Sequence, residues 1–227
     1  MRILLVSATE AEIRPVTAAL RRTGSPGRLT TYDRSGHRVD VLVTGVGMVA
    51  AASWCSSTLA RERYDVALNL GVCGSFDRAL PPGTVVHVVA DRLSELGAED
   101  GDGFLSIQEL QLLGENEPPF TGGCLVNAAP PASATLAALP AVRGITVNTV
   151  HGCDRSIARV VERFAPQVES MEGAAFMYAC LTLGQPFAQV RAVSNIVERR
   201  NRAAWKLPEA IAGLGDSTLR MLNELCG

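Results

Sequence analysis

Two carboxylates and a serine–asparagine pair, together with two glycine-rich stretches, are the parts of this sequence equipped to do chemistry. Glu12 closes Ser7-Ala8-Thr9-Glu10-Ala11-Glu12, directly after an apolar strand-like run. Thr9 and Glu12 have the spacing of a helix capping box, and Pro15 suits a first helical turn. A carboxylate overhanging the end of a strand could equally activate water as a general base. Glu172 opens Gly173 to Cys180, which is nearly all small and apolar and so predicts a buried helix. An acid there is costly to desolvate without a partner. It either favours the positive end of the helix dipole or accepts two hydrogen bonds from a vicinal diol such as ribose. Met171 beside it is adaptable enough to cover a sugar face, and is equally suited to a core. Ser194-Asn195 end the strand-like run Phe187 to Ser194, where they serve a turn or touch a ligand.

Thr44 to Ala50, TGVGMVA, contains G-x-G-x-x-A between a strand and a helix, the pattern of a dinucleotide turn. That pattern also needs an acid at the end of the next strand. Asp65 has the right count but precedes its strand, so nicotinamide binding is disfavoured. Bare backbone at Gly45 and Gly47 would still let a smaller ligand approach. Asn69 to Gly74, NLGVCG, reads as a second glycine turn, with Gly71 and Gly74 flooring the same pocket. Neither stretch is a nucleoside triphosphate loop.

The elements that must position these residues alternate. Strand-like runs fall at 2–7, 39–44, 66–70, 84–89, 146–150 and 187–194, with helix-like segments such as 49–63 between them. This predicts an α/β fold, a three-layer α/β/α arrangement around a twisted, mixed but mostly parallel sheet. Such sheets bind ligands at the carboxyl ends of their strands. Asp100 to Pro131 is rich in Gly, Pro and polar residues and reads as an excursion from the sheet within one domain spanning 1–227.

Composition narrows the class. Of 227 residues, 47% are hydrophobic and 19% charged, enough to build a sizeable core. A net charge of −2 without a run of one sign argues against nucleic acid as a partner. No apolar run is long enough to span a membrane, and Met1-Arg2 leads into what reads as a strand rather than an export signal. Six scattered cysteines without a CxxC pair suggest reduced thiols in a cytoplasm. Three histidines show no metal-ligand spacing, so neither metal nor other cofactor is expected.

ATEAE, TGVGMVAAA, NLGVCG, MEGAA and RAVSN, in this order, resemble the nucleoside phosphorylase and nucleosidase superfamily. The resemblance covers nearly the whole chain and is weakest at 100–142. VNTVHG, ESMEGAAF and RAVSNIVERRNRAAW look most like the futalosine hydrolase family within it. Phosphorylases similar to the hexameric type carry an arginine at the Asn69 position and a serine at the Val72 position to hold phosphate. The neutral pair here implies hydrolysis, because phosphate recognition needs charge-assisted donors.

The resemblance further implies that Glu12 is the base for water, that Glu172 holds the ribose hydroxyls and that Met171 covers the sugar. Methylthioadenosine nucleosidases carry an aspartic acid, which protonates adenine, where this chain has Asn195. An amide offers donors beside an acceptor, which suits the carbonyl and ring nitrogen of hypoxanthine. Futalosine hydrolysis is thus implied, in the alternative route to menaquinone, with Asn195 set by Ser194 against the leaving base. The far end of futalosine, an aromatic carboxylate, would need an apolar slot and a cation, for which Arg199, Arg200 or Arg202 with Trp205 are candidates. Related enzymes imply a homo-oligomer, at least a dimer. Two other readings remain open: a methylthioadenosine/adenosylhomocysteine or aminofutalosine nucleosidase, and a non-catalytic purine-nucleoside binder.

Overall fold

The computed structural model describes residues 1–227. The chain begins with strand β1 (Arg2–Ser7), helix α1 (Glu10–Thr17), the short β2 (Arg21–Arg22), β3 (Leu29–Arg34), β4 (His37–Val43), α2 (Met48–Arg61) and β5 (Val66–Ser75). It continues through β6 (Val85–Leu93), a hairpin β7 (Gly97–Asp100) and β8 (Gly103–Ser106), then β9 (Phe120–Thr121), β10 (Cys124–Val126) and α3 (Ala134–Ala138). The last third contains β11 (Ala141–Thr146), α4 (Asp154–Phe164), β12 (Val168–Ser170), α5 (Gly173–Leu183), β13 (Phe187–Ile196), a 3-10 turn at Arg202–Ala204 and α6 (Leu207–Cys226).

All strands but β7 and β8 join one mixed sheet. Its long central strands pair in parallel: β4 with β1, β1 with β5, and β5 with β13. Beyond them, β13 pairs antiparallel with β6, β6 parallel with β11, β11 parallel with β12, and β12 antiparallel with the end of β5. Five strands therefore close on themselves, with β5 in common. Apolar runs such as Ile3–Val6 are buried on both faces, as strands covered by helices on each side must be. One face carries α1, α3 and α6 over Leu5, Leu68 and Val190. The other carries α2 and α5 over Leu4, Ala67 and Phe187. No helix is long and apolar enough to cross a membrane.

Three expectations need correction. NLGVCG is not a turn: β5 runs unbroken to Ser75, and its glycines lie inside the strand, where they admit neighbouring side chains. The strand expected at 146–150 lies earlier, at Ala141–Thr146. Gly144 is the reason it is hard to read: the site of its missing Cβ is only 3.1 Å from Val88 Cγ1, so close strand packing requires a glycine. The 100–131 excursion partly returns to the sheet, since β10 pairs with β6 and Leu125 is fully buried.

Candidate active site

The site begins where one strand outlasts its neighbour. β1 pairs with β5 only as far as Asn69, and β12 takes over the same edge from Gly74. Between them the β5 edge has no strand partner, and its exposed N–H groups need other acceptors. Glu12 supplies one: Val72 N–H donates to its Oε1 at 3.0 Å. Its Oε2 accepts from Thr9 N–H (3.0 Å), Thr9 Oγ1 (2.7 Å) and Ser7 Oγ (3.4 Å). The capping box therefore exists, and it also fixes a buried carboxylate at the carboxyl ends of β1 and β5. The capping reading of Glu12 is borne out, and the cap fixes where the acid points.

Beside it lies a residue that sequence reasoning passed over. Arg191 of β13 is the largest fully buried side chain. Its Nη2 donates to Asn69 Oδ1, its Nε donates to Gln189 Oε1 at 3.2 Å, and its Nη1 lies 3.7 Å from Glu172 Oε2. The available signal was a lone charge inside an apolar strand run. Gly71 makes room for it: a Cβ there would fall on the guanidinium and stand 3.0 Å from Glu12 Oε1. Gly71→Ala is accordingly expected to lower kcat/KM by at least about tenfold, because displacing reacting groups by an ångström is enough to do so. Steady-state kinetics of base release would check this, and an unchanged kcat/KM would contradict the packing described.

The network continues inward. Gln189 Nε2 donates to Asp91 Oδ2 and Thr146 Oγ1 donates to Asp91 Oδ1, each at 3.0 Å. Burial pushes the Asp91 carboxyl up to about 6, against the pull of these bonds and of Arg191. The folded protein thus holds this proton more tightly than the unfolded chain. The resulting stability term is most favourable below about pH 4, is lost as pH rises to about 6, and amounts to roughly 3 kcal/mol. Denaturant unfolding at pH 4 and 7 should show Asp91→Asn gaining on the wild type as pH rises. Parallel pH profiles would contradict this.

Glu172 precedes α5 at its N-cap position but does not cap that helix. Its Oε1 instead accepts Gly47 N–H at 3.0 Å, across from the start of α2. Gly45 and Gly47 have φ of 88° and 97°, conformations that favour glycine, and they let the TGVG stretch turn the Gly47 N–H to the Glu172 carboxylate. Met171, half-buried, stands next to it.

Ser194 and Asn195 sit on a β-bulge. Val193 pairs with Cys73 and Asn195 with Gly74, so Ser194 is the extra residue that re-aims the strand end. Ser194 Oγ lies 2.8 Å from Asn195 Oδ1 and 3.1 Å from Cys73 O, and Asn195 Nδ2 donates to Ile196 O at 3.0 Å. The amide is thereby oriented with one donor hydrogen and one acceptor lone pair to spare. It faces a cleft walled by Gly74, His151, Glu169, Arg200 and Trp205. Trp205 is flanked by Arg200 and Arg202, at 5.6 and 6.0 Å from ring centre to guanidinium carbon. These residues stand at the Asn195 end of the site. Arg199 is exposed and is not a wall of the cleft.

Three features thus converge at the carboxyl ends of β1, β5 and β13: a fixed carboxylate, a second carboxylate beside a buried cation, and an oriented amide. The phosphorylase superfamily model matches residues 2–219. The chain is 32% identical to futalosine hydrolase of Streptomyces coelicolor over 96% of this chain and 93% of that protein. It is 33% identical to futalosine hydrolase of Acidothermus cellulolyticus over 93% and 86%. The solved structure of futalosine hydrolase of Helicobacter pylori shares the fold with a TM-score of 0.80 at 14% identity, covering 99% of this chain and 98% of that one.

Proposed function

Because the chain belongs to the phosphorylase superfamily and, within it, to the futalosine hydrolase family, we propose that it hydrolyses the N-ribosidic bond of futalosine and releases hypoxanthine, residues 1–227 acting as one nucleosidase domain. Positive charge develops on the sugar as the base departs, as in glycoside hydrolysis. Glu172 accepts from the ribose hydroxyls, Met171 covers the ring, and Glu12 takes a proton from the attacking water. Asn195 donates to the carbonyl of the leaving base. Arg200 and Trp205 wall the cleft that Asn195 faces, and Trp205 with Arg199 and Arg202 is proposed to take the aromatic carboxylate at the far end of the substrate.

The hydrolytic reading is carried by the commitment of Arg191. Its donors are turned to Asn69 and Gln189 and its charge to Glu172, while the Val72 N–H is taken by Glu12. The carboxylates of Glu12 and Glu172 on either side of the guanidinium would repel an incoming phosphate. In phosphate-free buffer the protein should release hypoxanthine from futalosine, and added phosphate should not raise the rate. A phosphate requirement would make it a phosphorylase.

Asn195 sets the preference for the base. Asn195→Asp replaces a donor with an acceptor, so it should lower kcat/KM for futalosine by about 10- to 100-fold and narrow the preference over its amino analogue. Paired kinetics on the two nucleosides check this, and an unchanged ratio would remove Asn195 from base selection.

A homo-oligomer is part of this proposal. Val46, Val49, Trp54 and Tyr178 are exposed apolar residues on or beside α2 and α5, the helices behind Gly47 and Glu172. The six free thiols suit a cytoplasmic setting.

A further inference from the structure

Buried Glu169 and partly buried His151 form a pair that the mechanism above does not use. His151 Nδ1 lies 2.6 Å from Glu169 Oε2, and His151 N–H donates to Glu169 Oε1 at 3.1 Å. Glu169 is only 4% exposed, yet it walls the same cleft as Asn195. Register explains why. Gly74 pairs with Glu169 of β12 on one side and with Asn195 of β13 on the other.

Residues at one register on adjacent strands face the same way, two strand spacings, or ~10 Å, separating the outer pair. Gly74 between them has no side chain. A Cβ there would stand 3.4 Å from Glu169 Cγ and 3.5 Å from Asn195 Nδ2. A carboxylate, a bare strip of backbone and an amide thus lie in a row. The side chains of Glu169 and Asn195 both lean toward the bare Gly74 position, so they can meet neighbouring atoms on one edge of a flat bicyclic base.

We propose that Glu169, held by His151, accepts the ring N1–H of an oxopurine while Asn195 donates to the adjacent carbonyl, making Glu169 a specificity-determining residue for the base. The proposal rests on the nucleosidase reading above. An oxopurine presents a donor at N1. An aminopurine presents a lone pair there, which would face an anionic oxygen. The carboxylate has room for the bond, because two oxygens offer about four acceptor positions and His151 fills only part of them. His151 is a positioning residue: its two donors fix both carboxylate oxygens, and Phe76 packs edge-on against its ring at 6.0 Å between centroids.

The test compares kcat/KM for futalosine and its amino analogue in wild type, Glu169→Gln and His151→Ala. Gln can turn its amide to present a donor, so the oxo-to-amino preference should fall at least about tenfold in Glu169→Gln. It should fall less, in the same direction, in His151→Ala. A folded Glu169→Gln with an unchanged ratio overturns the proposal. A wild-type control covers variants that fail to fold: 1-methylhypoxanthine, lacking N1–H, should inhibit at least about tenfold more weakly than hypoxanthine, and equal inhibition likewise overturns it. If the wild type hydrolyses neither nucleoside, the nucleosidase reading fails on its own. Calorimetry with hypoxanthine and adenine then decides the base site separately: preference for hypoxanthine supports it, and equal affinity overturns it.

Discussion

Glu12→Gln is expected to reduce the single-turnover rate of hypoxanthine release by about 10²- to 10⁴-fold, the range that a positioned general base contributes. The substitution keeps the size of the side chain and removes its basicity. It also disturbs the cap. Oε2 accepts from Ser7 and from both donors of Thr9, while Oε1 accepts from Val72 N–H, so every near neighbour is a donor. An amide has only one oxygen, and its NH₂ must meet a donor on one side, which destabilises the protein by about 1–3 kcal/mol. The Glu12 carboxylate does not touch Asn195, so calorimetric binding of hypoxanthine should persist in the folded variant. Loss of turnover with retained base binding is the expected pairing. Undiminished turnover would take the role of base away from Glu12.

Arg191→Met should have the largest effect on stability. The guanidinium is 1% exposed and connects Asn69, Gln189 and Glu172. Methionine fills much of the same volume but leaves Glu172 without its counter-charge and two amide oxygens without a donor. Removing one partner from a buried pair of charges costs about 3–5 kcal/mol. For a chain of this size that is a fall in Tm of roughly 6–20 °C. Arg191→Lys keeps the charge and loses the planar fork, so it should fall between the two. Thermal unfolding followed by circular dichroism checks the order. A Tm of Arg191→Met within about 2 °C of the wild type would mean that the network does not hold this region together.

The legible and the hidden parts of the site differ in kind. Glu12 was legible because its capping box is local: Thr9 and Glu12 define it within one turn, and the strand before it points it at the sheet end. Glu172 was legible because an acid stands out before an apolar helix. The uninterrupted course of β5 was hidden, since Gly71 and Gly74 carry the usual marks of a turn and only the neighbouring side chains show why they are glycine. Arg191 was hidden for a related reason. A charge in an apolar strand looks misplaced until its partners arrive from β5 and the start of α5. The Ser194 bulge and the Glu169–His151 pair depend on registers among β5, β12 and β13, which no local pattern encodes. Side chains that act through their own segment could be read from the sequence. Those that act across strands required the fold.

The most direct measurement is a competition: futalosine and its amino analogue at equal concentration, in phosphate-free buffer, with the purified protein and chromatography of the free bases. Hypoxanthine should accumulate first and well ahead of adenine, at a rate indifferent to later addition of phosphate. Adenine appearing faster, or no base appearing until phosphate is added, would contradict the account of a water-directing Glu12 and an oxopurine-selecting Asn195.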